Sequence, residues 1–282
     1  MRSAVSIVLL AVVAALPAAA GGAGSEARIV YRTVHLTTPK RPPEVWSVLP
    51  SGRGRRLLTR GAEGPTWSPN RTRIAFSGTG IGSFPAGIWV MRADGSARRR
   101  LTRLGGDLGP TWSPDGRRIA FSRNSLTSFD LWVVPATGGT ARPLLRTPVA
   151  NELSPDWSPD GRRMAFQSSR GGELQIWVMN LASKTARRLT SGRSSFSPDW
   201  APDGRRIAYM TRGHVAVVDA DHPRPRLLPS GTPLSVDSPA WSPDGTRITF
   251  SRGGQVLTMR ASGGDLRYVT RASWGTNDSP DW

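Results

Sequence analysis

Apolar and polar positions repeat along the chain with a period of 41 to 45 residues. The clearest marker is a Pro-x-Trp phrase that introduces a turn and then an apolar run. It recurs at Trp67, Trp112, Trp157, Trp200, Trp241 and Trp282, with spacings of 45, 45, 43, 41 and 41 residues. Repetition at this period is typical of a β-propeller, in which each repeat forms one four-stranded blade.

Each repeat divides into strands by its own turn chemistry. The phrase "SPDG" has Pro and Asp in the turn and Gly where positive φ is needed, which favours a tight hairpin. A β-prone run such as Arg118–Ser122 comes after this turn, and Ile88–Met91 ("IWVM") is an example of the next strand. A small turn then leads to "RRLT" or a related strand. Because "IWVM" is apolar on both faces, each sheet must be covered on both sides, as neighbouring blades do in a radial array.

The two ends of the chain predict how the ring closes. The segments beginning at Ala27, Glu44 and Arg55 correspond to second, third and fourth strands, with no Trp strand before them. The final "SPDW" is a Trp strand with nothing after it. We therefore predict an all-β, six-bladed propeller of four-stranded antiparallel blades over residues 27–282, with residues 278–282 completing the first blade. A ring closed in this way leaves no first or last edge open to mispairing.

Repeats of the form "SPDGRRIAF…IWVM…RRLT" resemble those of the TolB-type six-bladed β-propeller family, also called WD40-like or PD40 repeats. The resemblance covers essentially all of residues 27–282. It implies the propeller fold. Related repeats serve as protein-interaction modules and as substrate gates ahead of serine peptidase domains.

The N-terminal residues have the pattern of a secretory signal peptide. Arg2 precedes an apolar run from Ala4 to Leu16 and then the small residues "PAAA". We predict a signal peptide over residues 1–20 with cleavage near 20–23, and a secreted or periplasmic protein of the cell envelope. The run is short for a bilayer span, and a retained membrane anchor is the alternative. The absence of cysteine excludes disulfides and a lipid-modified N-terminal cysteine.

The chain carries a net charge of +18, almost entirely from arginine. Such a balance suits a nucleic acid, an anionic lipid or an acidic polymer as partner. The arginines follow the repeat, for example Arg117 and Arg118 after the "PDG" turn, which favours a solvated surface. Since a secreted destination disfavours nucleic acid, we retain an anionic envelope polymer as a partner of this arginine-rich face.

The sequence shows no recognisable catalytic or metal motif. His35, His214 and His222 lie in different repeats without ligand spacing, and the nucleophile-elbow, zinc-protease and EF-hand patterns are absent. We therefore predict a non-enzymatic protein without cofactor or metal. The rival hypothesis is a carboxylate-dependent polysaccharide lyase or hydrolase that acts in the propeller channel.

Carboxylates near the Trp strands are the remaining candidates for a site. The aspartates of the "PDG" turns are interpreted as turn formers. A second group lies in the segments that enter each Trp strand or directly precedes the tryptophan, and we expect solvated loops there. The predicted partner-binding residues are Glu63, Asp107, Glu152, Asp156, Asp199, Asp237 and Asp278. They would bind an envelope protein or peptide to a monomeric propeller, although aspartates in such loops also cap backbone N–H groups.

Overall fold

The computed structural model describes residues 27–35, 41–80, 84–230, 236–271 and 276–282. The predicted signal peptide lies outside these residues. Across the described ranges the chain forms 24 strands and no helix, so no helix there is long and apolar enough to cross a membrane.

The strands form six four-stranded antiparallel sheets, which are the predicted blades. Blade one consists of β24 (Thr276–Asp281), β1 (Ile29–Val34), β2 (Glu44–Val48) and β3 (Arg56–Arg60). Blade two consists of β4 (Ala62–Trp67), β5 (Arg73–Gly78), β6 (Gly87–Arg92) and β7 (Arg99–Arg100). Blade three consists of β8 (Asp107–Trp112), β9 (Arg118–Asn124), β10 (Phe129–Pro135) and β11 (Arg142–Leu145). Blade four consists of β12 (Glu152–Trp157), β13 (Arg163–Ser168), β14 (Gln175–Asn180) and β15 (Ala186–Arg188). Blade five consists of β16 (Ser195–Trp200), β17 (Arg206–Thr211), β18 (His214–Asp219) and β19 (Arg226–Leu227). Blade six consists of β20 (Val236–Trp241), β21 (Arg247–Arg252), β22 (Gln255–Arg260) and β23 (Arg267–Tyr268).

Blade one joins both ends of the chain, as predicted. Strand β24 pairs antiparallel with β1, with Asp278 opposite Arg32 and Asn277 opposite Thr33. The Thr33 hydroxyl donates a hydrogen bond to the Asn277 side chain at 2.7 Å. The closing strand begins at Thr276, two residues earlier than predicted.

The "SPDG" turns have the predicted backbone geometry. Gly116, Gly161, Gly204 and Gly245 have φ between 67° and 69°, and Arg71, which replaces this glycine in blade two, has φ of 57°. In blade three the Ser113 hydroxyl donates to the Asp115 carboxylate and accepts the Arg118 N–H. The backbone N–H of Ala136, in the turn between the third and fourth strands, donates to the carbonyl of Arg117. Both kinds of turn therefore lie at the same end of the blade.

The core lies between blades rather than within them. Phe76, Phe121, Phe166 and Phe250 repeat at one position of the second strand and are fully buried. Each inner-strand tryptophan is also buried against a neighbouring blade. Because every sheet is covered by its neighbours on both sides, the innermost strands are left to surround a central channel.

Part of the arginine repeat also belongs to the packing between blades. The second arginine of the "PDGRR" phrase lies over the tryptophan of the next blade, which places a cation against the face of an aromatic ring. The guanidinium-to-ring distances are 4.9 Å for Arg118 over Trp157, 4.7 Å for Arg163 over Trp200 and 4.6 Å for Arg206 over Trp241. These arginines therefore join blades as well as forming a solvated surface.

Candidate functional site

Every innermost strand carries a β-bulge at the residue before the proline of its Pro-x-Trp phrase. These residues adopt left-handed φ values of 46° to 61°, and the pairing register shifts at the same place. They are Gly64, Gly109, Ser154, Ser197, Ser238 and Ser279. A bulge takes residues out of the ladder and re-aims the strand. Here it turns six Gly-Pro or Ser-Pro edges towards the channel, where they line its cavity.

The channel contains a cavity of about 330 Å³. Its wall includes the residue that directly precedes each inner-strand tryptophan, and we call this set the central ring. The central ring consists of Thr66, Thr111, Asp156, Asp199, Ala240 and Asp281. Two predicted site residues, Asp156 and Asp199, therefore line the channel together with Asp281.

The three aspartates of the central ring lock neighbouring blades together. Asp156 accepts the backbone N–H of Trp200 at 2.7 Å, and Asp199 accepts that of Trp241 at 2.7 Å. Asp281, in the closing strand of blade one, does the same for Trp67 of blade two at 2.7 Å. Each carboxylate thus satisfies a donor of the following blade. These hydrogen bonds are the backbone caps that the sequence analysis gave as the alternative to partner binding.

The surroundings of these aspartates disfavour their charged form. Burial raises the pKa of Asp156 to about 7 and that of Asp281 to about 6. Burial, followed by the charge of Asp156, raises the pKa of Asp199 well above its ordinary value. The hydrogen bonds from the tryptophan N–H groups oppose these shifts without cancelling them. The central ring therefore favours the protonated form of its carboxyl groups more than solvent does.

A second set of side chains lies four residues before each inner-strand tryptophan, and we call it the mouth ring. Its members are Glu63, Leu108, Leu153, Phe196, Asp237 and Asp278. The mouth ring is divided in two, because blades six, one and two contribute its three carboxylates and blades three, four and five its three apolar side chains. Of the apolar residues, Leu108 lines the cavity and is 38% exposed.

Arg32 pairs with two of the three acids of the mouth ring. It donates to both carboxylate oxygens of Asp278 at 2.6 Å and lies 3.2 Å from the Glu63 carboxylate. Burial, followed by the neighbouring charge of Asp278, raises the pKa of Asp237. Sequence reasoning missed Arg32. The sequence signal that could have found it is a comparison of repeats: Arg32 of β1 pairs with Asp278, whereas the equivalent position of blade two, opposite Glu63, is Ser77.

Asp107 and Glu152 lie elsewhere. Both are inside strands and buried, not in solvated loops as expected. They precede their tryptophans by five residues, and since side chains alternate along a strand they point away from the positions of the mouth ring. Asp107 forms a two-pronged ion pair with Arg123 at 2.6 and 2.8 Å, and Glu152 accepts from Arg170 at 3.0 Å. The structure therefore does not bring these two together with Glu63, Asp237 and Asp278.

The repeat, the closed ring and the bulged inner strands match a known family. Residues 64–282 match the model of the TolB beta propeller domain. The chain belongs to this family. TolB from Acinetobacter baumannii superposes with a TM-score of 0.76 at 21% identity, covering 90% of this chain and 66% of that one. The chain thus spans slightly less than two thirds of that TolB.

Other solved structures share the fold at low identity. A candidate TolB from Agrobacterium tumefaciens has a TM-score of 0.66 at 21% identity, covering 88% of this chain and 90% of that one. A chain of a nidogen/laminin complex has a TM-score of 0.74 at 10% identity, covering 90% and 98%. No curated protein sequence matches the chain. At these identities the likenesses show the architecture and leave the partner of this TolB-like propeller to be argued from its own residues.

Proposed function

We propose that this TolB-like propeller is a non-enzymatic, secreted or periplasmic protein that binds a protein segment of the cell envelope at its channel mouth. The observation that carries the proposal is the division of the mouth ring into an acidic and an apolar half. The backbone bulges that shape this edge occur in all six blades, whereas the side chains displayed beside them differ. Binding residues placed on a rigid, repeated scaffold commonly vary in this way.

The two halves define the chemistry of the segment. Glu63, Asp237 and Asp278 carry three negative charges against the single positive charge of Arg32, so the acidic half has a formal charge of −2. The apolar half offers Leu108, which is partly exposed. A peptide with a Lys or Arg near an aliphatic or aromatic residue would place the cation on one half and the apolar side chain on the other.

The hydrogen bonds of the central ring favour binding over hydrolysis. A general acid or base must reach the proton that it transfers, within hydrogen-bonding distance of the substrate. Asp156, Asp199 and Asp281 each use a carboxylate oxygen to accept a main-chain N–H of the next blade at 2.7 Å. Moving these oxygens to a substrate would break the contacts between blades. Their raised pKa values therefore fit buried locks better than a catalytic pair.

The test is site-specific photo-crosslinking followed by charge removal. A photoreactive residue at position 108 should crosslink one envelope protein, whereas the same residue at position 221 on the opposite end should not. The combined variant Glu63→Gln, Asp237→Asn and Asp278→Asn should then weaken capture of that protein at least tenfold at low salt. The matched control is Asp219→Asn, which removes an acid from the turn end of blade five and should leave capture unchanged.

Three results would contradict the proposal. Equal crosslinking from both ends of the propeller would show that the mouth is not selective. Undiminished capture by the triple variant, with an unchanged melting temperature, would remove the acidic half from the binding site. Release of oligosaccharides from envelope polysaccharide by the purified protein, abolished by Asp156→Asn, would favour the hydrolase instead.

A further inference from the structure

The junction between blades four and five shows how an anion is accommodated at the turn end of this propeller. Asp221 lies in the turn of blade five and its carboxylate is 2.8 Å from the Arg163 guanidinium and 3.7 Å from that of Arg187. Arg163 comes from the "PDGRR" turn of blade four, and Arg187 from its outermost strand. Two arginines of one blade thus share a carboxylate supplied by the next blade.

The junction between blades five and six repeats the cations without the carboxylate. Arg206 and Arg226 occupy the positions of Arg163 and Arg187, as the pairing of Val217 with Arg226 and of Val178 with Arg187 shows. The backbone N–H groups of Ala220 and Ala261 make equivalent bonds to the preceding turns, so the residue after each is equivalent too. That residue is Asp221 in blade five and Ser262 in blade six.

A cleft of about 540 Å³ lies at this second junction. Four of its lining residues are arginines, namely Arg206, Arg226, Arg247 and Arg260. Asp203 contacts Arg206, and Asp265 contacts Arg247 and Arg260. With four cations against two carboxylates, the cleft keeps a formal surplus of two positive charges. Arg226 contributes to this surplus, and it donates a long hydrogen bond of 3.4 Å to the Ser262 carbonyl.

We propose that the cleft between blades five and six binds an oxyanion group of an anionic polymer, held between Arg206 and Arg226 in the place that Asp221 takes in the neighbouring junction. The guanidinium fork is suited to phosphate and carboxylate oxygens alike. The cleft is larger than one oxyanion and therefore has room for the longer molecule that carries the group. This inference is independent of the channel mouth, which lies at the opposite end.

The junction between blades two and three provides a contrast. Thr137 holds the position of Ser262 there, but Arg99 donates its two terminal nitrogens to the carbonyls of Thr137 and Ala136 at 2.8 and 2.9 Å. The equivalent of Arg260 is Pro135, which adds no charge. An uncharged residue opposite the arginines therefore does not make an anion site by itself. The additional arginine, Arg260, and the long contact of Arg226 distinguish the junction between blades five and six.

The experiment titrates the protein with inorganic phosphate and, separately, with glucuronate, while NMR follows the arginine Nε–H signals. We expect Arg206 and Arg226 to shift together with one saturable affinity. The substitution Ser262→Asp places the carboxylate of blade five into blade six and should weaken this affinity at least tenfold. The reverse change, Asp221→Ser, should create a second responsive pair at Arg163 and Arg187. Thr137→Asp is the control that should change neither.

The outcomes identify the kind of polymer that supplies the anion and decide whether the proposed site exists. Tighter binding of phosphate assigns a phosphate-bearing polymer, and tighter binding of glucuronate assigns a uronic-acid polymer. Shifts spread evenly over the surface arginines, or an affinity that Ser262→Asp leaves unchanged, would overturn the proposed site. Since residue 262 is exposed in a turn, we expect the variant to fold, and Asp221→Ser tests the same principle independently.

Discussion

The inner edge and the outer turns of the propeller join the same blades with opposite charges. At the axis, Asp156 of blade four accepts the Trp200 N–H of blade five. At the turn end, Arg163 of blade four covers the ring of the same Trp200 and donates to the carbonyl of Gly204. One tryptophan is thus fixed by an acid through its backbone and by a base through its ring. These two charges are therefore engaged in the assembly of the blades.

Within both the inner edge and the outer turns, some positions are the same in each blade and others are not. The bulges recur in all six blades and the "PDG" turns in blades three to six, because they set the shape of the backbone. The residue type in the mouth ring differs from blade to blade, and so does the residue at the position of Ser262 in the outer turns. Departures from an internal repeat are informative, because neighbouring blades supply the matched reference without a second protein.

The largest effect is expected from removing residues 276–282, which form the inner strand of blade one. The deletion removes the buried Trp282 and the bond from Trp67 to Asp281. Loss of the tryptophan alone should lower the free energy of unfolding by about 3–5 kcal/mol, which thermal unfolding can measure. The outer-edge control is Tyr268→Ala at a 62% exposed residue, which should cost less than about 0.5 kcal/mol. Similar melting temperatures for deletion and parent would refute closure by this strand.

The buried and exposed acids should respond differently to the same chemical change. Asp107→Asn leaves the buried Arg123 without its charge partner, which should cost about 3–5 kcal/mol. Glu63→Gln removes a 43% exposed carboxylate, and we expect a cost of about 1 kcal/mol or less. Denaturant unfolding of both variants compares them. Equal costs would mean that the two residues do not differ in burial as the structure has them.

The acids of the two regions should also have opposite effects on stability as pH changes. A raised pKa in the folded state gives Asp156 a stabilising contribution below its unfolded pKa, which is lost as pH rises through about 7. Asp156→Asn keeps an acceptor for Trp200, so it should stabilise the protein progressively from pH 4 to pH 8, by about 1.4 kcal/mol per unit of pKa shift. The melting temperature of variant and parent across this range provides the measurement.

The turn residue Asp115 is the matched control. The hydrogen bond from the Ser113 hydroxyl leads the interactions that lower the pKa of Asp115. Its contribution is therefore present above its unfolded pKa and lost as pH falls through the lowered folded value. Asp115→Asn should be most costly near neutral pH and least costly in acid. The same sign for both substitutions would contradict the contrast between channel and turn.

The smallest effect is expected at Arg71. Its positive φ costs roughly 1 kcal/mol, and relief of this strain by Arg71→Gly favours the variant. The structure adds an opposing contribution, because Arg71 donates to the Arg28 carbonyl at 2.8 Å and lies 5.2 Å from the Trp67 ring. The net change should be within about 1 kcal/mol. Arg71→Ala, which loses the contacts and keeps the strain, should be less stable than Arg71→Gly in the same thermal assay.

The sequence by itself determined the architecture of this protein. Pro-x-Trp phrases at intervals of 41 to 45 residues and an unpaired Trp strand at the end predicted six blades and the closure of the first. Turn chemistry also predicted where positive φ is needed, and Arg71 adopts it in place of the glycine, because local backbone geometry depends on neighbours in the chain.

Tertiary structure decided which acids face the channel. Asp107 and Asp278 both lie near the start of an inner strand, yet a difference of one position before the tryptophan buries the first against Arg123 and sends the second to the mouth ring with Arg32. The sequence shows the acid but not its partner, since Arg32 and Asp278 are 246 residues apart in the chain. Likewise, only the stacking of whole blades brings Ser262 of blade six against Arg206 and Arg226 of blade five. These pairings are set by contacts between strands, and no local pattern records them.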